Sequence, residues 1–282
     1  MNGIRFIKTS EITKSVAELC VRANTCINAD IRAALVKSRE TEDSPAAANV
    51  LEMLLENADI AEAEKLAVCQ DTGMAVVFVK IGSDVHVCGD ISGAINEGVR
   101  QGYKNGYFRN SIVRDPVDRV NTGDNTPAVI YYDIVPGRGL EISLMAKGFG
   151  SENMSAVKML EPSAGIGKIE DFIVQTVASA GANPCPPVII GVGIGGTMDK
   201  AALMAKQALM RDIGSVNSEK FWADCEERLL ENINLLNIGP AGYGGKTSAL
   251  AVHILKYPTH IAGLPVAVNI GCHASRHKTV VL

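Results

Sequence analysis

No stretch of this sequence is long and apolar enough to span a bilayer. The longest, Pro186 to Ile194 and Ile261 to Ile270, contain Gly or Pro and fall well short of the roughly 20 residues a spanning helix needs. Dense Lys/Arg runs are also missing. With 27 basic against 31 acidic residues the formal net charge is -4, which leaves no electrostatic footprint for nucleic acid or an anionic membrane. Met1 to Ser10 carries Arg5 and Lys8 but lacks the apolar block and small-residue cleavage site of a secretory signal, so the chain is expected to stay in the cytoplasm. The seven cysteines, at 20, 26, 69, 88, 185, 225 and 272, are odd in number, scattered, and free of any C-x-x-C pair. They offer neither a disulfide framework nor a structural zinc site. Internal repeats and low-complexity linkers are absent too.

What remains is a chain of 282 residues, 47% hydrophobic and 21% charged, able to bury one large core or two modest ones. Ile12, Val16, Leu19 and Ala23 recur at helical spacing after Thr9-Ser10. Ser44-Pro45 then opens a second helical pattern with Val50, Leu51, Leu54 and Leu55 on one face. Residues 1–65 therefore read as a helical N-terminal region. Beyond it, Ala75 to Gly82 is a β-branched run ended by glycine, and Asp90 can cap a helix through Arg100. Ala128 to Val135 and Leu140 to Ala146 flank Pro136-Gly137-Arg138-Gly139, which predicts a hairpin. Pro187 to Ile190 leads through a glycine-rich turn into a helix over Met198 to Met210, with Ala202, Leu203, Ala205 and Leu209 inward. A further helix spans about Glu219 to Leu236, and Ala249 to Leu255 and Leu264 to Ile270 return to strand. The expectation is one α/β domain over 1–282, with mixed sheets and flanking helices.

Gly191-Val192-Gly193-Ile194-Gly195-Gly196 satisfies G-x-G-x-x-G between a strand and a helix, and would make the chain an NAD-linked oxidoreductase. The context argues against it. A second strand with an acidic residue should follow, whereas Arg211-Asp212-Ile213-Gly214 leads into another helix. A tight strand-to-helix turn, able to cradle an anion on its N–H groups, is the plainer reading. Three cysteines stand apart: Cys69 in Val68-Cys69-Gln70-Asp71-Thr72-Gly73, Cys185 in Asn183-Pro184-Cys185-Pro186-Pro187, and Cys272 in Asn269-Ile270-Gly271-Cys272-His273. Each looks like a loop position at a strand end, where Gly and Pro stiffen the backbone and a thiolate can bind soft iron. A cysteine taken alone is more often a small buried apolar residue.

The segments around these cysteines, with Lys147 to Asn153 and Gly239-Pro240-Ala241-Gly242-Tyr243-Gly244-Gly245-Lys246, together resemble the class I fumarase family over nearly the whole chain. Specifically, the chain looks like the alpha subunit of the two-subunit form, or the N-terminal domain of the one-chain form, in a superfamily that includes the L-tartrate dehydratase alpha subunit. That resemblance implies the family's N-terminal-domain fold and a 4Fe-4S cluster on Cys69, Cys185 and Cys272, with one iron open as a Lewis acid. It implies substrate contacts from Gln70, Asp71, Arg109, Gly150 and His260, with Asp71 handling the proton as acid or base. The chemistry suits a dicarboxylate: Arg109 can clamp a carboxylate in a two-pronged contact, and the Gly150 N–H can add a third donor. Read singly, Arg109 is a solvated arginine, His260 a turn histidine, and Gln70 and Asp71 a cap. The family's threonine and further cationic residues belong to a second polypeptide, so a beta subunit is implied, in a dimer of alpha-beta pairs. Fumarate hydration to (S)-malate is the expected reaction, favoured by the Gly148 to Ser155 run; tartrate and mesaconate stay open as substrates. Cys20, Cys26, Cys88 and Cys225 are read as packing residues. Replacing Cys69, Cys185 or Cys272 singly with Ser should lower iron bound per chain after anaerobic reconstitution, and Cys225→Ser should not. Wild-type iron content in any of the first three would remove that residue from the ligand set.

Overall fold

In a computed structural model that describes residues 3–282, the chain divides into two compact units. The first comprises, of the described residues, 3–27, 58–148 and 276–282, and the second 28–57 and 149–275. The chain passes between them after residues 27, 57, 148 and 275. Among the described residues no helix is long and apolar enough to cross a membrane.

The first unit is built on a four-stranded sheet. Its strands are β2 (Met74–Gly82), β4 (Val129–Val135), β5 (Leu140–Lys147) and β10 (His277–Val281), in the order β10-β5-β2-β4. β4 runs parallel to β2, while β5 and β10 are antiparallel to their neighbours. The hairpin predicted from Pro136 to Gly139 therefore does not form: β2 lies between β4 and β5, and the connection crosses its end. Gly82 permits that crossing, because a Cβ there would run into the Gly137 carbonyl. The physical reason is burial. Ala75 to Val79 are all buried, so β2 gains most by taking a central position with neighbours on both edges. Two short strands that the apolar pattern did not predict, β1 (Arg5–Lys8) and β3 (Val85–Cys88), pair in parallel.

Helices α1 (Thr9–Thr25) and α4 (Ile91–Asn105) cover this sheet, burying Ile12, Val16, Leu19, Cys20 and Ala23 with Ile95, Val99 and Tyr103. The predicted periodicity of α1 is the observed buried face. Asp90 caps α4 by accepting from the Gly93 N–H at 3.0 Å. The two helices approach closely at Gly98 and Gly102, where a Cβ would sit 2.7 Å from the Thr13 carbonyl and 2.6 Å from the Cys20 Cβ.

The second unit carries the sheet β6-β9-β7-β8, formed by β6 (Ala156–Leu160), β7 (Val188–Gly195), β8 (Ala249–Tyr257) and β9 (Leu264–Gly271). Val188, Ile190, Val192 and Ile194 pack on one face with α6 (Gly165–Ala180) and α8 (Lys220–Asn234) through Ile173, Val177, Cys225, Leu229 and Ile233. On the other face lies α7 (Met198–Ala208). Two more helices, α2 (Ala29–Thr41) and α3 (Pro45–Glu64), precede β2, and Ser44 caps α3 through the Ala47 N–H at 3.4 Å. In α3 the buried stripe is Ala47, Leu51, Ala58 and Ala61, while Val50, Leu54 and Leu55 are only half-buried.

The glycine run is part of β7 rather than a turn. Gly191 and Gly193 face α7, and a Cβ at either would overlap the Ala205 or Ala201 carbonyl. Only Gly195 and Gly196, at φ +89 and +69, make the turn into α7. The buried residues of α7 are Ala201, Met204, Ala205 and Ala208, followed by Leu209; Ala205 and Leu209 lie inward as predicted, while Ala202 is exposed and Leu203 half-buried, because the alanines at 201 and 205 meet the glycine face. Gly193→Ala should destabilise the protein by about 3 kcal/mol through forced separation of α7 from the sheet, read as a lower denaturation midpoint. Gly167→Ala, in open space within α6, should not destabilise it.

Candidate functional site

Each of the three singled-out cysteines lies just beyond a strand end: Cys69 ahead of β2, Cys185 ahead of β7, Cys272 after β9. Cys69 and Cys272 are half-buried and Cys185 is exposed. The other four divide. Cys20 and Cys225 are fully buried, and burial, with Glu170 accepting from the thiol, pushes Cys225 up to about 12. Cys26 and Cys88 depart from the packing reading: Cys26 is half-buried with its thiol against Ile27 O and Glu62, and Cys88 is exposed. The β1-β3 ribbon carries Cys88 at its outer end, and Cys26 follows the last residue of α1, so neither is enclosed.

In the first unit the turn from Val68 to Gly73 is held on several sides. The Val68 N–H donates to Asn24 O at 2.9 Å. Arg276 Nη2 donates to Asp71 O at 2.7 Å, and Tyr103 Oη donates to Thr72 O at 2.7 Å and Gly73 O at 3.1 Å. Asn125 Nδ2 reaches Gly73 O at 3.1 Å. Within the turn, Asp71 Oδ1 accepts from the Gly73 N–H at 3.0 Å, and Gly73 takes φ +76 beneath the Lys147 backbone. Thr72 Oγ1 donates to Arg109 O at 2.9 Å, so the segment bearing Gln70 and Asp71 meets the segment bearing Arg109. Gln70 and Arg109 are exposed and Asp71 is half-buried, an arrangement open to a ligand from outside. Burial pushes the Tyr103 phenol well above its usual range, so it stays protonated and keeps its O–H for the Thr72 and Gly73 carbonyls.

The sequence reading missed Asn24, Tyr103, Asn125 and Arg276. Tyr103 falls on the apolar stripe of α4, and Arg276 stands among the polar and basic residues Ser275, His277 and Lys278, with no apolar pattern to mark it as buried. In fact Arg276 is only 2% exposed.

In the second unit the Cys185 and Cys272 turns adjoin. His273 donates from its backbone N–H to Cys185 O at 3.4 Å, and its Nδ1 lies 2.9 Å from the same oxygen. Cys185 takes φ +56, a left-handed conformation that costs a non-glycine residue roughly 1–2 kcal/mol. The Gly239 to Lys246 segment explains how it is kept there: Ala241 N donates to Pro186 O at 2.8 Å, and Gly242, at φ +83, abuts Ala182. Gly150, at the second position of the short helix α5 (Phe149–Glu152), is close to Asn183, which would lie 3.8 Å from a Cβ placed on it. At that position a backbone N–H has no intrahelical acceptor. Gly150, Cys185 and Cys272 thus share one end of the sheet. His260 does not. It sits exposed in the connection between β8 and β9, at the opposite end, because β8 runs parallel to β7 and β9 antiparallel. Eight residues of β7 separate the ends by roughly 25 Å. Its Nδ1 accepts from the Ala262 N–H at 3.2 Å.

Among the described residues no three His, Cys, Asp or Glu side chains converge as ligands of a single metal ion. A four-iron cube spreads its thiolates wider than one ion does, and partly exposed thiols on stiff turns match its donor chemistry. A cavity of about 630 Å³ in the second unit, lined by Ser38, Thr247 and His253 among others, contains none of the predicted site residues. Burial, with the charge of Arg211, pushes His253 down to about 4, so it is neutral there.

Residues 13–281 match the family described as fumarate hydratase (Fumerase). The chain belongs to that family, a family of hydro-lyases. Among its relatives, a Methanocaldococcus jannaschii protein provisionally named L(+)-tartrate dehydratase subunit alpha is 41% identical, over 94% of this chain and 95% of that one. The L(+)-tartrate dehydratase subunit alpha of Escherichia coli strain UTI89 is 32% identical, over 96% of this chain and 90% of its own. That of Shigella sonnei is 31% identical, over 97% and 91%.

Tyr103→Phe should lower stability by about 1–2 kcal/mol, since it removes one donor from two buried carbonyls. Denaturant titration checks the loss, and amide exchange should show the residue 68–73 turn loosening while β7 keeps its protection.

Proposed function

We propose that the chain is the cluster-bearing alpha subunit of a fumarate hydratase, interconverting fumarate and (S)-malate with a beta subunit, in a dimer of alpha-beta pairs. The observation that carries this reading is the clamped turn at 68–73. A thiol, an amide and a carboxylate stand in succession on a backbone whose carbonyls are tied down, hydrogen-bonded to the segment that bears Arg109. Such rigidity is what a reaction needing fixed geometry requires. The left-handed backbone at Cys185 supports a functional role for that thiol, since strain of this kind persists where the surroundings impose it.

Cys69, Cys185 and Cys272 would hold a 4Fe-4S cluster. When bound, the cluster supplies an open iron that acts as a Lewis acid toward the substrate's hydroxyl and carboxylate. The chain's own residues do the rest. Arg109 clamps a carboxylate through paired N–H donors, and the Gly150 N–H and Gln70 amide orient the substrate by hydrogen bonds. The family resemblance implies His260 as a further contact, but its own sheet carries it at the end away from Cys185 and Cys272, so it is left out of this shell. Asp71, with Oδ1 engaged by Gly73, exchanges through its carboxyl group the proton that accompanies addition of hydroxide across the alkene. The partner supplies the remaining cationic groups.

A tartrate dehydratase alpha subunit is the second reading, favoured by the names of the relatives at 41% and 32% identity. Both reactions make or break a C–O bond beside a carboxylate, and they differ in one substrate hydroxyl, a distinction a site enforces by pairing or failing to pair that group. The test is anaerobic reconstitution with iron and sulfide, with and without the beta subunit, followed by visible absorbance and rates on fumarate, L-tartrate and mesaconate. The expected outcome is a brown protein that hydrates fumarate only with its partner. Faster turnover of tartrate would replace the first reading by the second, and a chain that stays colourless would overturn the cluster assignment.

A further inference from the structure

We propose that Arg276 is a positioning residue for Asp71, holding the carboxylate-bearing turn by its main chain and facing the carboxylate with a fixed positive charge. The inference rests on the hydro-lyase reading above and adds a residue to its acid–base machinery.

Arg276 is an expensive residue to keep where it is. It is 2% exposed, and its two hydrogen bonds go to neutral oxygens, Nη2 to Asp71 O at 2.7 Å and Nη1 to Asn24 Oδ1 at 3.2 Å. Its Nε is buried with no hydrogen-bond partner. A buried guanidinium bonded only to neutral groups costs stability that an apolar side chain of the same volume would not. The arrangement is understandable if the charge serves its surroundings. Asp71 Oδ2 and Arg276 Nη2 lie 3.2 and 3.6 Å from a single point, the position a Cβ would occupy on Gly148. Both groups thus border the space that glycine at 148 leaves open.

The orientation of the guanidinium is fixed from behind. Asn24, also fully buried, accepts from Nη1, donates through Nδ2 to Cys20 O at 3.0 Å, and accepts the Val68 N–H on its own carbonyl. One end of α1 thus holds both the start of the turn and the arginine that holds its middle. Guanidinium stays charged at every working pH, so its field on Asp71 is constant, and its planar fork sets direction as well as charge. Lysine would keep the charge and lose the fork. A misplacement of about 1 Å at a proton-transferring group can cost about 100-fold in rate.

The test uses the full chain with its beta subunit and compares Arg276→Gln, Arg276→Lys, Asp71→Asn and the Arg276→Gln/Asp71→Asn double variant by steady-state kinetics. Arg276→Gln should lower kcat about 10- to 100-fold with KM within about threefold. Arg276→Lys should recover part of the loss. In the Asp71→Asn background Arg276→Gln should cost nothing more, because residues acting through one group are not additive. Hydrogen exchange on the cluster-free chain gives a readout apart from activity: amides of residues 71–73 should exchange faster in Arg276→Gln while those of β7 are unchanged. Wild-type kcat in Arg276→Gln, a fully additive loss in the double variant, or unaltered exchange at 71–73 would overturn the proposal. Where Arg276→Gln does not fold, Arg276→Lys decides, and unchanged kcat there overturns it equally. An inactive Asp71→Asn beside a normal Arg276→Gln removes the inference alone, whereas wild-type turnover in Asp71→Asn removes both it and the reading of Asp71.

Discussion

Three consecutive main-chain carbonyls, those of Asp71, Thr72 and Gly73, leave regular structure just before β2, and each must find a donor. Arg276, Tyr103 and Asn125 provide them, from the start of β10, from α4 and from the connection ahead of β4. Buried carbonyls without donors cost roughly 1–3 kcal/mol each, so the turn keeps this shape only while all three elements are packed around it. The first unit is in that sense a frame for six residues. Asn24 anchors the entry, the positive φ of Gly73 turns the exit beneath Lys147, and the segment of Arg109 is tied on through Thr72.

Close approach of backbones is the second constraint, and it accounts for glycines that carry no chemistry. Gly98 and Gly102 let α1 and α4 touch, which puts Tyr103 under the turn it serves. Gly191 and Gly193 do the same for α7 on β7. The segment over 239–246, rich in glycine for its positive-φ corners, supports Cys185 from outside through the Ala241 N–H. Its contribution is to hold a strained thiol-bearing turn, which a sequence motif alone does not distinguish from direct ligand binding.

The chain's membership of the fumarate hydratase family is the ground on which a chemical purpose is proposed for these frames. A hydro-lyase needs a group that weakens a C–O bond, a group that moves a proton, and donors that hold a carboxylate still. The first unit carries an acid and an arginine on linked segments; the second carries two adjoining thiols and a helix-start N–H at one sheet end. His260, on the connection at the other end, is the one predicted residue that its own sheet holds away from that group.

Residue order alone was enough for the local features, because they depend on neighbours in the chain. The stripe of α1, the Asp90 and Ser44 caps, the buried run of β2, the presence of α8 and the strand-end placement of Cys69, Cys185 and Cys272 all follow from periodicity and turn chemistry. The cluster, substrate and partner expectations came from several motifs matching a family at once, not from any one spacing. Tertiary structure decided whatever depends on residues far apart. It put β2 between β4 and β5, which no turn signal at 136–139 could reveal, since the Pro-Gly pattern suits a crossover as well as a hairpin. It made the glycine run a packing surface, because only the presence of α7 shows why those positions must be bare. Arg276 lies 205 residues from Asp71 along the chain, beside His277 and Lys278, and only the folded unit turns it inward against that carbonyl.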